Sequence, residues 1–173
     1  MDIKYEIEPV FKIEFFKITC IDFKNKKKKL EKILARYPEM PRLNFYSNRD
    51  KCSITTEFRD IFKDEFSLIR TKFNSKILLE RVWSVVYHKG HYHVPHNHSS
   101  QGYAGILYLD MKSNSPKTTY IQPWNNEKDR SVLYTPQVKE GDMIIVPQFL
   151  THYTEPNKIN FKKRIVSFDF TLV

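Results

Sequence analysis

The chain has 173 residues, 40% of them hydrophobic and 14% aromatic, which is the size and texture of one globular domain with a core of its own. Its apolar runs are too short to span a bilayer, and charges at Asp2, Lys4, Glu6 and Glu8 break up the start, so neither a membrane segment nor a secretory leader is expected. The formal charge of +9 admits an acidic partner, nucleic acid included, but no basic-aromatic recognition motif accompanies it.

Residues 1–20 alternate polar and apolar (Tyr5, Ile7, Val10, Phe11, Ile13, Phe15, Ile18), which predicts one or two strands against the core. Cys20 and Cys52 are isolated thiols without a C-x-x-C pair, as expected of a cytoplasmic protein. Over 26–36, Leu30, Ile33 and Leu34 fall at helical spacing and Pro38 and Pro41 end the run, predicting a short helix. The densest basic block, Lys24 with Lys26 to Lys29, borders that helix; it reads either as a solvated face or as a surface attracting an anion. Residues 54–73 place Phe58, Ile61, Phe62, Phe66, Ile69 and Phe73 on one side of a second helix, an aromatic stripe read as core.

From residue 78 the texture changes to short β-rich runs at 82–87, 103–110, 117–122, 131–135, 143–147 and 164–173, parted by turns such as Lys89-Gly90 and Glu140-Gly141-Asp142. Strands so close, with no helices between them, form a sandwich or jelly roll. The expected organisation is one domain over 1–173, with 1–77 as a helical and strand support region and 78–173 as a double-stranded β-helix, cupin-like core.

Six histidines are present, five of them between 88 and 98 in the run YHKGHYHVPHNHSS. In a strand, residues two apart share a side, so His96 and His98 can aim at one point. The remaining histidine, His152, is the natural third ligand. Gly90 precedes His96 by six residues, and Gly141, Pro147 and His152 follow the order Gly-x5-Pro-x4-His, so a turn glycine introduces both stretches. His88, His91 and His93 are expected to support the site or lie on the surface, with His93 able to line the pocket. Imidazole suits zinc, iron, copper or nickel, and three protein ligands leave positions open for catalysis.

Four blocks in order carry a family resemblance. Tyr87-x-x-Gly90-x5-His96-x-His98, GYAGILYLD, EGDMIIVPQFLTHYTEPN and KRIVSFDF are together similar to the 2-oxoglutarate and Fe(II)-dependent oxygenases, in particular a small bacterial and phage branch related to prolyl hydroxylases. The resemblance covers residues 83–170. It implies a dioxygenase, expected to be a hydroxylase, that uses Fe(II), 2-oxoglutarate and O2, with ascorbate as an optional reductant and succinate and CO2 as products. His96, His98 and His152 would hold the metal, Arg164 the 5-carboxylate of 2-oxoglutarate with help from the Tyr108 hydroxyl, and Tyr87 would touch the co-substrate or a metal-bound water. Core packing is the other reading of either tyrosine. An arginine facing inward among apolar residues needs an anion, and Val166, Phe168 and Phe170 share the Arg164 face.

The family pair His-x-Asp reads His96-x-His98 here. That replacement removes a negative charge, for which a water ligand or a nearby acid such as Asp110 is expected to compensate; either His98 binds as a third imidazole, the reading adopted, or two histidines hold the metal. Where the family commonly has serine two residues after the arginine, this chain has Val166. Two alternatives share the architecture: a three-histidine metal cupin such as a thiol dioxygenase, and a non-catalytic jelly-roll binding module. The orientation of Arg164, toward the metal cavity or toward solvent, is the expected discriminator. The substrate, a small molecule or a protein side chain, is expected to lie under loops 113–116 and 123–130, with Trp124 as a lid or an anchor.

Overall fold

The computed structural model describes residues 12–173, in the order β1 (Phe16–Thr19), α1 (Phe23–Leu34), β2 (Met40–Pro41), β3 (Tyr46–Ser47), α2 (Thr55–Ile61), α3 (Lys63–Phe73), β4 (Ile77–Tyr87), β5 (His93–His96), β6 (Tyr103–Asp110), β7 (Thr118–Ile121), β8 (Leu133–Tyr134), β9 (Asp142–Pro147), β10 (His152–Thr154) and β11 (Lys163–Leu172). The expected strand over 1–20 is met by β1, and its first eleven residues lie outside the described residues. The long helix expected over 54–73 is broken at Phe62 (φ −106°, ψ 29°) into α2 and α3.

The strands form two antiparallel sheets, a seven-stranded one in the order β1-β9-β6-β11-β4-β3-β2 and a four-stranded one in the order β5-β10-β7-β8. From β4 onward the chain passes back and forth between them: β4, β6, β9 and β11 belong to the large sheet, and β5, β7, β8 and β10 to the small one. Strands β1, β2 and β3 from the N-terminal part also join the large sheet, so that part supplies edges as well as helices.

Each face of the large sheet has its own core, and the alternation along β11 decides which residues enter which. Val166, Phe168 and Phe170 pack with Leu30, Phe58, Phe62 and Phe66 under the helices. Ile165, on the opposite face, packs with Tyr87, Ile106, Tyr108 and Tyr120 between the sheets. Burying side chains of this size stabilises each layer by roughly 1.5–3 kcal/mol per residue. Gly105 of β6 lies under Phe168, and a Cβ there would fall 2.0 Å from the ring, so only glycine lets that phenylalanine lie flat on the sheet.

The basic block is partly internal. Lys26 is buried, with its Nζ 2.8 and 2.7 Å from the two Glu65 oxygens, and ties α1 to α3; Lys27 bridges Asp110 and Glu140. Lys24, Lys28 and Lys29 remain exposed.

Candidate metal centre

β5 and β10 lie side by side with His96 directly opposite His152, so strand pairing alone brings the distant histidine to the cluster. His98 lies two residues past the end of β5 rather than within it, and its backbone N–H donates to the Gln148 carbonyl at 3.1 Å. One donor nitrogen from each of His96, His98 and His152 falls within 4.8 Å of the others. Gly90 (φ 86°) and Gly141 (φ 88°) both adopt the left-handed conformation that their turns require.

The hydrogen bonds orient all three rings alike. His96 Nδ1 donates to the Val94 carbonyl at 2.8 Å, and His152 Nδ1 to the Leu150 carbonyl at 3.0 Å. His98 Nδ1 meets Asp169 Oδ1 at 2.5 Å. With the proton on Nδ1 in each case, the Nε2 lone pairs are left for a common ion. Burial pushes His152 down to about 3 and lowers His96 as well, so both imidazoles are neutral near pH 7, the form that binds metal.

Asp169 is fully buried, on β11 opposite Arg81 of β4, and shares its carboxylate between His98 and the Arg81 guanidinium at 2.8 Å. It supplies behind His98 the negative charge that a ligating carboxylate would have brought directly. The acid expected from sequence, Asp110, is elsewhere: it pairs with Lys27 and Arg164. Trp83 packs on His98 with ring centroids 5.5 Å apart, and His93 stacks on His96 at 3.9 Å. His93 also lies 3.3 Å from the Tyr87 hydroxyl, whereas His88 and His91 pack around Tyr46, away from the cluster.

The expectation for Arg164 is corrected. Its guanidinium binds Asp110 and Glu31, both at 2.8 Å, on the helix-covered face of the sheet. The residues that share its face, Val166, Phe168 and Phe170, belong to the core under the helices and not to the cavity. Period-two alternation instead turns Lys163 inward, opposite Tyr87. Lys163 is fully buried, with its Nζ 4.8 Å from the Tyr87 ring centroid and 5.8 Å from that of Tyr108. Among the described residues, Lys163 Nζ and the hydroxyls of Tyr108, Thr118 and Tyr120 are buried without a hydrogen-bond partner. Burial alone pushes the lysine down to about 7. A buried cation without a hydrogen-bond partner is costly unless an anion joins it.

A cavity of about 230 Å³ lies over the three histidines, with Tyr87 and Thr118 in its wall. The exposed part of its lining, Arg42, Arg49 and Asp50, comes from the segment 42–50 and forms its mouth, and the loops at 113–116 and 123–130 contribute nothing to that lining. Trp124 lines a separate groove with Phe15, Tyr120 and Tyr134.

Comparison with known proteins adds the decisive observation. Residues 81–169, just over half of the chain, match the family model described as "Putative 2OG-Fe(II) oxygenase". The chain belongs to the 2OG-Fe(II) oxygenases. Solved structures agree on the fold. A 2OG-Fe(II) oxygenase family oxidoreductase from Burkholderia pseudomallei is 12% identical with a TM-score of 0.65, over 91% of this chain and 84% of that one. HygX from Streptomyces hygroscopicus, solved with nickel, 2-oxoglutarate and hygromycin B, is 12% identical with a TM-score of 0.65, over 91% and 82%. The viral collagen prolyl hydroxylase from Paramecium bursaria Chlorella virus-1, in its 2-oxoglutarate complex, is 15% identical with a TM-score of 0.60, over 90% and 94%. No curated protein sequence matches. The oxygenase is thus a double-stranded β-helix, and its donor set fits the family's two small partners: three imidazoles for an iron ion, and a buried lysine without a hydrogen-bond partner for a dicarboxylate. No helix among its described residues is long and apolar enough to cross a membrane.

Proposed function

We propose that this oxygenase hydroxylates its substrate, with iron held by His96, His98 and His152 and 2-oxoglutarate anchored by Lys163. The observation that carries the second assignment is the buried, unpartnered Nζ of Lys163, 4.8 Å from the Tyr87 ring centroid and 5.8 Å from that of Tyr108. Bound Fe(II) supplies the redox chemistry that couples decarboxylation of 2-oxoglutarate, with O2, to oxidation of a C–H bond. The remaining work is positional. The histidines fix the metal, with their Nδ1 protons held by Val94, Leu150 and Asp169. Lys163 and the Tyr108 hydroxyl receive the 5-carboxylate in a site closed to water, where charge-assisted hydrogen bonds are strongest. Tyr87, packed against Lys163 and His93, lines the path between the two ends. No side chain needs to act as general base.

The cupin and binding-module readings both lack a use for an inward-facing cation, which Lys163 provides in place of Arg164. A cytoplasmic setting is supported by the two free cysteines, Cys20 and Cys52. The test is succinate release by the purified protein with Fe(II), 2-oxoglutarate, O2 and ascorbate. Slow uncoupled turnover in the wild type, abolished by Lys163→Met, is the expected result. No succinate from metal-replete wild type would count against the proposal.

A further inference from the structure

Arg49 stands at the rim of the metal cavity, with its guanidinium carbon 5.0 Å from the centroid of Trp83, the ring that packs on His98. The neighbouring charges cancel in pairs: Arg42 binds Asp50, and Arg81 binds Asp169. Among the described residues none forms an ion pair or side-chain hydrogen bond with the Arg49 guanidinium. Burial lowers its pKa most and Arg81 next, while Asp169 and Asp50 pull it back up and Arg42 contributes least. A planar fork of donors held over an aromatic face, beside a cavity and without a counter-ion, is arranged for a carboxylate or a phosphate.

Lys163 is not the recipient of that second anion, because it is buried among Tyr87 and Tyr108 while Arg49 sits at the opening. The cavity, at about 230 Å³, lies below the range of roughly 300–1,000 Å³ usual for enclosing a drug-sized ligand. With 2-oxoglutarate inside, a substrate inserts one part and leaves the rest at the mouth, where Arg49 is. We infer that the substrate of this oxygenase carries an acidic group, carboxylate or phosphate, which Arg49 binds against Trp83 while the C–H bond to be oxidised enters beside the histidines. This rests on the oxygenase reading above.

The test is binding, read through Trp83. The chain has two tryptophans, so Trp124→Phe leaves Trp83 as the only one, directly under Arg49. That protein, loaded anaerobically with Fe(II) and 2-oxoglutarate so that the inner site is filled, is titrated with N-acetylaspartate amide and N-acetylphosphoserine amide, and with the neutral N-acetylasparagine amide and N-acetylserine amide. At least one acidic probe is expected to bind about tenfold more tightly than its neutral counterpart, as a charge-assisted pair provides. The stronger acidic probe identifies which anion the site takes. Arg49→Gln is expected to erase the preference and Arg49→Lys to keep part of it. Equal binding of acids and neutral probes, a preference that survives Arg49→Gln, or no fluorescence response to any probe overturns the inference. Visible absorption of the Fe(II) and 2-oxoglutarate complex reports the parent reading separately: if it fails to form, the oxygenase assignment fails, and if it forms without an acid preference, only the role of Arg49 is lost.

Discussion

The Nδ1 of His98 and the Oδ1 of Asp169 lie 2.5 Å apart, although 71 residues separate them in the chain. Asp169 fixes the His98 tautomer and makes its other nitrogen a better donor. Asp169→Asn is therefore expected to weaken iron binding by about 10–100-fold, the usual cost of losing such a partner. His98→Asp combined with Asp169→Asn restores a ligating carboxylate without placing two carboxylates in contact, and is expected to recover most of that affinity. Competition with a metal-chelating dye measures both; equal affinities for wild type and Asp169→Asn would contradict this role.

Lys163 links co-substrate binding to pH and to stability. In the folded protein without 2-oxoglutarate, burial lowers it to about 7 from an ordinary 10.5. Between these values the unfolded chain keeps a proton that the folded chain has released, so stability rises with pH across that window, and below it the full cost of burying the charge is present. Pairing with a carboxylate raises the lysine again. 2-Oxoglutarate binding at pH 8 is thus expected to take up a proton, measurable by calorimetry in buffers of different ionisation enthalpy. Lys163→Met is expected to lose 2-oxoglutarate binding while gaining about 1–4 kcal/mol in stability, as when buried charge gives way to an apolar side chain of similar volume. A destabilised variant that still bound 2-oxoglutarate would refute the assignment.

Arg164 tests the same strand from its other face. It joins β11 to Asp110 of β6 and Glu31 of α1, with its side chain 15% exposed. Arg164→Ala is expected to cost about 1–3 kcal/mol, since it strands partly buried Asp110 with fewer partners, and to leave the affinity for 2-oxoglutarate within about twofold. Chemical denaturation and a 2-oxoglutarate titration check the two halves. A large loss of 2-oxoglutarate affinity at unchanged stability would restore Arg164 to the site.

The contrast between Lys163 and Arg164 also marks how far the sequence could be read. The β-rich half and the convergence of His96, His98 and His152 were legible, because turn glycines and a dense histidine run are local signals. The identity of the inward cation was not: adjacent residues of a strand face opposite sides, and Lys163-Arg164 offers a cation to each, so a one-residue error in register exchanges their roles. The apolar companions of Arg164 were correctly grouped with it but mark the core under the helices. Asp169 and Arg49 carry no motif, and their partners, His98 and Trp83, are distant in sequence. The break at Phe62 was hidden for a similar reason, since the aromatic stripe of 54–73 continues through it on both helices.

The most direct measurement is the metal and co-substrate stoichiometry of the wild type and His152→Ala under anaerobic conditions, from metal analysis and from the visible absorption that 2-oxoglutarate produces on chelating Fe(II). One equivalent of each per wild-type chain is expected, with both lost in His152→Ala while the far-ultraviolet circular dichroism stays unchanged. A folded His152→Ala protein that bound Fe(II) and 2-oxoglutarate as tightly as the wild type would contradict the three-histidine centre.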